Sequence, residues 1–215
     1  VNAVHSGPGG AAARIGPNAV IQLAAALSPR VGATRALQLF EAAGAAAWWR
    51  QPPEHMVPQA EVARLHRVVR AALDPGVARE VARDAGTRTA EYLLRHRIPA
   101  PVQFALRLVP ASWAAAALLR AIGRNAWTFA GSGRFEACRG GDPVRWAHGG
   151  VPRWTLTITG NPLCRGLQAD APACDYYAAT FERLFRRLVH PGATVTEVDC
   201  EARGDAACRF AVRWR

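Results

Sequence analysis

Along the first 130 residues apolar side chains recur at three- and four-residue spacing, the period of an amphipathic helix. The spacing predicts a helix over "AVIQLAAAL" with Asn18 as its N-cap. It predicts another over "VGATRALQLFEAAGAAAWW", where Leu37, Phe40 and Ala47 fall on one face. "PQAEVARLHRVVRAAL" sets Val62, Leu65, Val69 and Leu73 against arginines on the opposite side. "VAREVARDAGTRTAEYLL" continues in this style until "RIPAP" breaks it. Two further helices, split at Pro110, lead to "AWTFAGSG".

After Gly133 the pattern changes to short β-branched and aromatic runs, "RFEAC" (134–138) and "RWTLTIT" (153–159), joined by the glycine-rich loop "RGGDPVRWAHGGVP". A helix follows, with Asp170 as its expected N-cap and Pro172 in its first turn. Tyr177, Phe181, Leu184 and Leu188 line one face of it, and Arg183, Arg186 and Arg187 point to solvent. "ATVTEVDC" (193–200) and "CRFAVRW" (208–214) read as two strands of a hairpin. Helices first, then a small and mostly antiparallel sheet with one crossing helix, make an α+β fold. Residues 1–14 read as a flexible leader and 15–215 as one domain, helical over 15–130 and sheet-forming over 131–215.

Composition changes this picture in two places. The net charge of +11 invites a nucleic-acid reading, but every basic residue is arginine and no lysine occurs. No zinc-finger spacing, basic repeat or aromatic RNA-binding motif accompanies the charge, which points instead to acidic ligands, anionic lipid or acidic protein partners. No apolar run is long enough for a membrane span. "PASWAAAALLRAIG" (110–123) reads as a core helix, with a peripheral membrane contact as the other reading. The odd number of cysteines and the missing signal-peptide layout predict a cytoplasmic protein.

The chemistry concentrates near the C-terminus, in "VDCEARGDAACRF". Cys200 and Cys208 lie symmetrically about Gly204. With Arg203–Asp205 as a three-residue hairpin loop they face each other, their Cβ atoms about 4.5–5.5 Å apart. That is wide for a disulfide and suits two thiolates on one zinc. Cys174, at the start of the preceding helix, offers a third thiol. Glu197 completes a candidate tetrahedron if a bulge or strand end brings it round, since three residues from Cys200 places it on the opposite face of a regular strand. The bland alternative is a set of buried cysteines with Glu197 in solvent.

The run "EVDCEARGDAACRFAV" resembles the C-terminal signature of the V4R (vinyl-4-reductase) domain family: a Glu, a Cys three residues on, a Gly, and a second Cys eight residues beyond the first. The resemblance covers roughly residues 130–215, and the helical front, with "RIGPNAVIQL" and "LFEAAG", is similar to the family's bacteriochlorophyll-pathway members. It implies zinc held by Cys174, Glu197, Cys200 and Cys208, a structural ion because all four positions are filled. It also implies a cavity between helices and sheet for a hydrophobic ligand, here a magnesium tetrapyrrole. Trp127, Phe129, Trp146 and Trp154 would be its walls and His148 an axial ligand to the magnesium. A homodimer, contact with bacteriochlorophyll-pathway enzymes and a place at the periphery of the photosynthetic membrane follow from the same resemblance.

The residues give little support to the catalysis in the family's name. The G-S-G of "AGSGRFEACRGG" leads into a strand rather than a helix, unlike a dinucleotide fingerprint, and Cys138 and Cys164 lack iron–sulfur spacing. The expectation is a tetrapyrrole carrier or assembly factor. The alternatives are an 8-vinyl reductase fed by an external electron donor, and a small-molecule sensor domain.

Overall fold

A computed structural model describes residues 13–141 and 151–215. Nearly all of the expected leader, together with Trp146 and His148, lies outside them. Two short strands, β1 (Arg14–Ile15) and β2 (Val57–Pro58), pair antiparallel and close off the helical front. Between and after them come α1 (Asn18–Val31), α2 (Ala33–Ala42), α3 (Ala46–Arg50), α4 (Gln59–Ala72) and α5 (Pro75–His96). Then follow α6 (Ala100–Leu108), α7 (Ala111–Arg124) and the single turn α8 (Trp127–Ala130). The sheet consists of β3 (Arg134–Arg139), β4 (Trp154–Thr159), β5 (Thr194–Asp199) and β6 (Cys208–Arg213), all antiparallel in the order β3-β4-β6-β5. Helix α9 (Asp175–Leu188) crosses between β4 and β5. The α+β reading holds.

Helix α9 is the centre of the molecule. Tyr176, Ala179 and Thr180 are buried on one side of it and Phe181, Leu184, Phe185 and Leu188 on the other, because α5 packs against it from one direction and the sheet from the other. The approach of α5 is set by Gly86: a Cβ there would stand 2.1 Å from the Tyr176 carbonyl oxygen. The Thr180 hydroxyl donates to the Gly86 carbonyl at 3.0 Å, and the hydroxyls of Thr89 and Tyr176 meet at 2.9 Å. On the sheet side the register places Phe135, Leu156, Ile158 and Phe210 on one face. Phe181 meets Phe210 edge-on at 5.6 Å between ring centroids, and Phe129 meets Phe135 at 5.4 Å, within the range of favourable aromatic pairs.

Several expected boundaries move for identifiable reasons. The long second helix is two, because Gly44 at φ +67° turns the chain between α2 and α3. Asn18 lies inside α1 rather than capping it; Pro17 holds the N-cap position without a side-chain bond. The helix expected to begin at Asp170 begins at Asp175, with Cys174 at its N-cap. Pro162–Cys164 instead forms a 3-10 turn, capped by the Asn161 side chain on the Leu163 N–H. By contrast α5 is capped as its sequence dictates, Asp74 accepting from the Gly76 and Val77 N–H groups with Pro75 at the first position. The Gly-Ser-Gly of residues 131–133 is a turn gripped by buried Gln59, which donates to the Ser132 hydroxyl (2.8 Å) and accepts from the Ser132 N–H (3.0 Å).

Gly86→Ala is expected to destabilise the protein by about 1–3 kcal/mol or more, since the added methyl meets backbone that yields only by separating α5 from α9. Chemical denaturation of the two proteins measures it, and an unchanged midpoint refutes the close crossing. A second expectation concerns His66, whose Nε2 lies 2.8 Å from the Ala19 carbonyl oxygen and donates to it. Burial lowers its pKa from 6.5 to about 4; the bond to Ala19 opposes that shift and nearby Arg70 adds to it. The unfolded chain therefore binds a proton near pH 6.5 that the folded chain refuses until about pH 4. Stability should be constant above 6.5 and fall through that window, by at most about 3 kcal/mol. His66→Gln, which keeps an N–H donor, should remove this part of the pH dependence in denaturation at pH 7.5 and 4.5; an unaltered profile would assign it elsewhere.

Candidate metal centre

Four thiols meet where α9, the sheet and its hairpin join. Cys164 ends the 3-10 turn after β4, Cys174 caps α9, Cys200 follows β5 and Cys208 opens β6. All four are buried, and their Sγ atoms lie within 4.8 Å of one another. Cys164 is 3.2 Å from Cys174, 3.5 Å from Cys208 and 3.8 Å from Cys200. Cys174 is 3.5 Å from Cys208 and 3.9 Å from Cys200. None is disulfide-bonded. Four sulfurs each ~2.3 Å from a central zinc stand about 3.8 Å apart in a regular tetrahedron, so the set fits a single ion with small adjustments. Sulfurs this close converge on one centre, whereas a four-iron cluster would hold each on a different iron and splay them.

The surroundings are built for sulfur carrying negative charge. Asn161, fully buried, donates its Nδ2 hydrogens to Cys174 Sγ and Cys208 Sγ, both at 3.2 Å. The Glu201 N–H donates to Cys208 Sγ at 3.4 Å. Glu201 in turn accepts from the Gly160 and Asn161 N–H groups at 2.6 and 2.8 Å, lashing the hairpin to the end of β4. Asp205 accepts from the Cys200 N–H at 2.8 Å. Such outer contacts orient the primary ligands. Contact with Cys164, Cys200 and Cys208, reinforced by burial, holds the Cys174 thiol up, and contact with Cys164 and Cys200, with burial, holds the Cys208 thiol up against the pull of Cys174. The same neighbours draw Cys200 down by hydrogen-bonding to its thiolate. Ionising all four thiols in so small a space would require a positive ion between them.

Three of the four expected ligands, Cys174, Cys200 and Cys208, are thus together. The fourth thiol at the centre is Cys164. Glu197 stands beside the group: its Oε2 accepts from the Cys174 N–H at 2.7 Å, and its Oε1 is buried without a hydrogen-bond partner. Burial raises its carboxyl to about 8, against the pull of the Cys174 N–H. The bulge needed to turn Glu197 inward is present, as the β5–β6 register slips between Glu197 and Asp199. The hairpin differs from the expected three-residue loop. Pairing ends at Asp199 with Arg209, and Glu201–Arg203 forms a 3-10 turn closed by Gly204 at φ +92°. The signal for Cys164 was the crowding of four of the five cysteines into residues 164–208; Asn161 had no sequence signal.

The expected pigment walls are dispersed. Trp127 is 59% exposed on α8, and Phe129 packs against Phe135 and Phe181. Trp154 is half-buried at the start of β4, with the Arg139 guanidinium 5.4 Å from its ring centroid. Phe135 pairs with Ile158, four residues along β4 from Trp154, so Phe129 and Trp154 attend regions of the sheet about 13 Å apart. Among the described residues, aromatic rings fill the helix–sheet interface near Phe129 where an open cavity was expected. An enclosed space of about 30 Å³ does lie beside Cys174, bordered by His66, Arg70 and Tyr176, far below the ~300–1,000 Å³ of typical ligand sites.

Residues 154–214 match the V4R domain. A bacteriochlorophyll synthase 23 kDa chain from Cereibacter sphaeroides is 40% identical over 198 residues, covering 92% of this chain and 89% of that one. Its namesake from Rhodobacter capsulatus is 35% identical over 201 residues, covering 92% and 85%. A solved vinyl-4-reductase family protein from Methanocaldococcus jannaschii aligns over 72% of this chain and 90% of its own, at 12% identity and a TM-score of 0.34, too distant a likeness to add to the assignment. Identity sustained along nearly the whole length, with the domain match spanning strands β4, β5 and β6 and all four clustered cysteines, establishes that the chain belongs to the V4R-domain family together with the bacteriochlorophyll synthase 23 kDa chains.

Proposed function

We propose that this protein serves bacteriochlorophyll biosynthesis by binding a magnesium tetrapyrrole intermediate and handing it between pathway enzymes, on a scaffold locked by structural zinc. The observation that carries the pathway reading is the 40% identity, along nine-tenths of the chain, to a relative named as a chain of bacteriochlorophyll synthase. A carrier of this kind works as a homodimer beside the enzymes it serves, at the membrane periphery. Among the described residues no helix is long and apolar enough to cross a membrane.

Zinc is assigned to Cys174, Cys200 and Cys208, with Cys164 as the fourth donor and Glu197 as the competing one. Four protein ligands leave no open position, so the ion fastens the hairpin to α9 and to the end of β4 rather than activating water. The purified protein is expected to carry about one zinc per chain. Cys208→Ser should release it and cost several kcal/mol of stability, since metal binding and folding are coupled. Cys164→Ser and Glu197→Gln decide the fourth position. Loss of a ligand should weaken zinc binding well beyond the ~10–100-fold expected for an outer contact, measured by competition with a chromophoric chelator. Stable metal-free protein with four freely titrating thiols would refute the assignment.

The tetrapyrrole reading draws on half-buried Trp154 with Arg139 beside it, exposed Trp127, and Phe129, with Trp146 and His148 in the connection between β3 and β4. Flat apolar rings edged by carboxylates suit indoles flanked by guanidinium groups. Magnesium protoporphyrin should quench tryptophan fluorescence and co-elute with the protein. Trp154→Ala should weaken binding about tenfold, and His148→Ala should shift the bound pigment's absorption if that imidazole is the axial ligand. Pigment that neither quenches nor co-elutes would end the binding reading. Loss of the vinyl group from a divinyl pigment on adding NADPH to the protein alone would replace the carrier with a reductase.

A further inference from the structure

Helix α6 is amphipathic, yet none of its residues is buried. Its polar side is turned inward: Gln103 donates to the Leu94 and Ile98 carbonyls at 2.5 and 2.8 Å, and Arg107 donates to the Arg187 carbonyl at 3.1 Å. Those bonds pin α6 to the ends of α5 and α9. Val102, Phe104 and Leu108, respectively 46%, 64% and 70% exposed, are thereby left facing water. Helix α7 adds to the patch. It buries Ala114, Ala115, Leu118 and Leu119 but leaves Trp113, in its first turn, 68% exposed. Five of the seven large exposed apolar residues among those described fall between residues 102 and 113. Scattered apolar side chains on a surface are ordinary, whereas so many gathered on two successive, touching helices mark a contact.

The charge around this hairpin has one sign. From Tyr92 to Phe135 the chain carries six arginines and no aspartate or glutamate. Arg120 and Arg124 are exposed on α7, and Arg107 on α6. At the foot of α6 an open hollow of about 560 Å³ is bordered by Arg95, His96, Arg97 and Arg187. The carboxylate on its wall, Glu91, is paired with Arg183. Aromatic and aliphatic side chains ringed by guanidinium groups are the composition of a helix that lies in a bilayer interface. A second copy of this chain fits less well, because it would set arginines against arginines with no carboxylate between residues 92 and 135 to pair with them.

We infer that the α6–α7 hairpin docks the protein onto the surface of an anionic lipid bilayer, with Phe104, Leu108 and Trp113 entering the interface and the arginines around them meeting lipid phosphates. The contact depends on neither the zinc nor the pigment. It places the molecule flat on the membrane without spanning it, as an element too short to cross requires.

The test is cosedimentation of the full chain with vesicles of phosphatidylcholine, and of phosphatidylcholine containing about one-third phosphatidylglycerol, the anionic fraction chosen to give a strongly negative surface. Binding is expected to the anionic vesicles, with little to the neutral ones, and to fall as salt is raised. The variant Phe104→Ser/Leu108→Ser/Trp113→Ser should lower partition at least about tenfold with an unchanged melting transition, as its sites are exposed. Arg120→Gln/Arg124→Gln should bind more weakly and lose part of the salt dependence. Equal binding of wild type and the apolar variant, or no binding by either, overturns the inference. So does an apolar variant that changes only the sedimentation coefficient of the free protein, which would make the patch an interface between copies.

Discussion

The convergence of four buried thiols on one point is the constraint around which the C-terminal half is arranged. Cys164, Cys174, Cys200 and Cys208 come from four different places in the chain: a 3-10 turn, a helix cap, a strand end and a strand start. No two are adjacent in sequence, so the centre forms only when β4, α9 and the β5–β6 hairpin are already in register. Asn161 and Glu201 serve that convergence from opposite directions. Asn161 directs its amide to two of the sulfurs, and Glu201 binds the backbone that carries Asn161. An ion at this point would be held by four side chains from separate places in the chain and would cross-link them.

From that joint the rest of the molecule follows through α9. The helix begins at the thiol centre, is held against α5 by the absence of a side chain at Gly86, and turns its phenylalanines to the sheet. Tyr177 extends the connection by donating from its hydroxyl to the Phe129 carbonyl, which ties the helical front to the sheet. Trp154 and Trp127 flank this rigid body at its surface.

The two halves present different chemistry outward. The C-terminal half spends its carboxylates on internal bonds: Glu197 on the Cys174 N–H, Glu201 on Gly160 and Asn161, Asp199 on Arg209. The α6–α7 hairpin has no carboxylates to spend and displays apolar side chains among arginines. The cysteine cluster and the apolar, basic hairpin thus occupy separate parts of the chain.

Much of this was determined by the sequence alone. The change of period after Gly133, the break at Pro110 and the cap of Asp74 on α5 are local, and local rules foretold the class of fold and most helices. That the thiols of Cys200 and Cys208 meet was equally legible, because hairpin neighbours are close in the chain, although the ladder ends at Asp199 with Arg209 and the two do not pair as expected. What the tertiary structure decided depends on residues distant in sequence. Cys164 entered the centre because the 3-10 turn at Pro162 carries its thiol to Cys208 at the start of β6, and Glu197 moved beside it because β5 bulges there. The start of α9 shifted to Asp175 because the preceding residues serve the thiols instead of a helix turn. Helix α6 shows the same division. The sequence predicted a helix before Pro110 but gave it no direction, and only the bonds of Gln103 and Arg107 to the ends of α5 and α9 turned its apolar side chains to the outside.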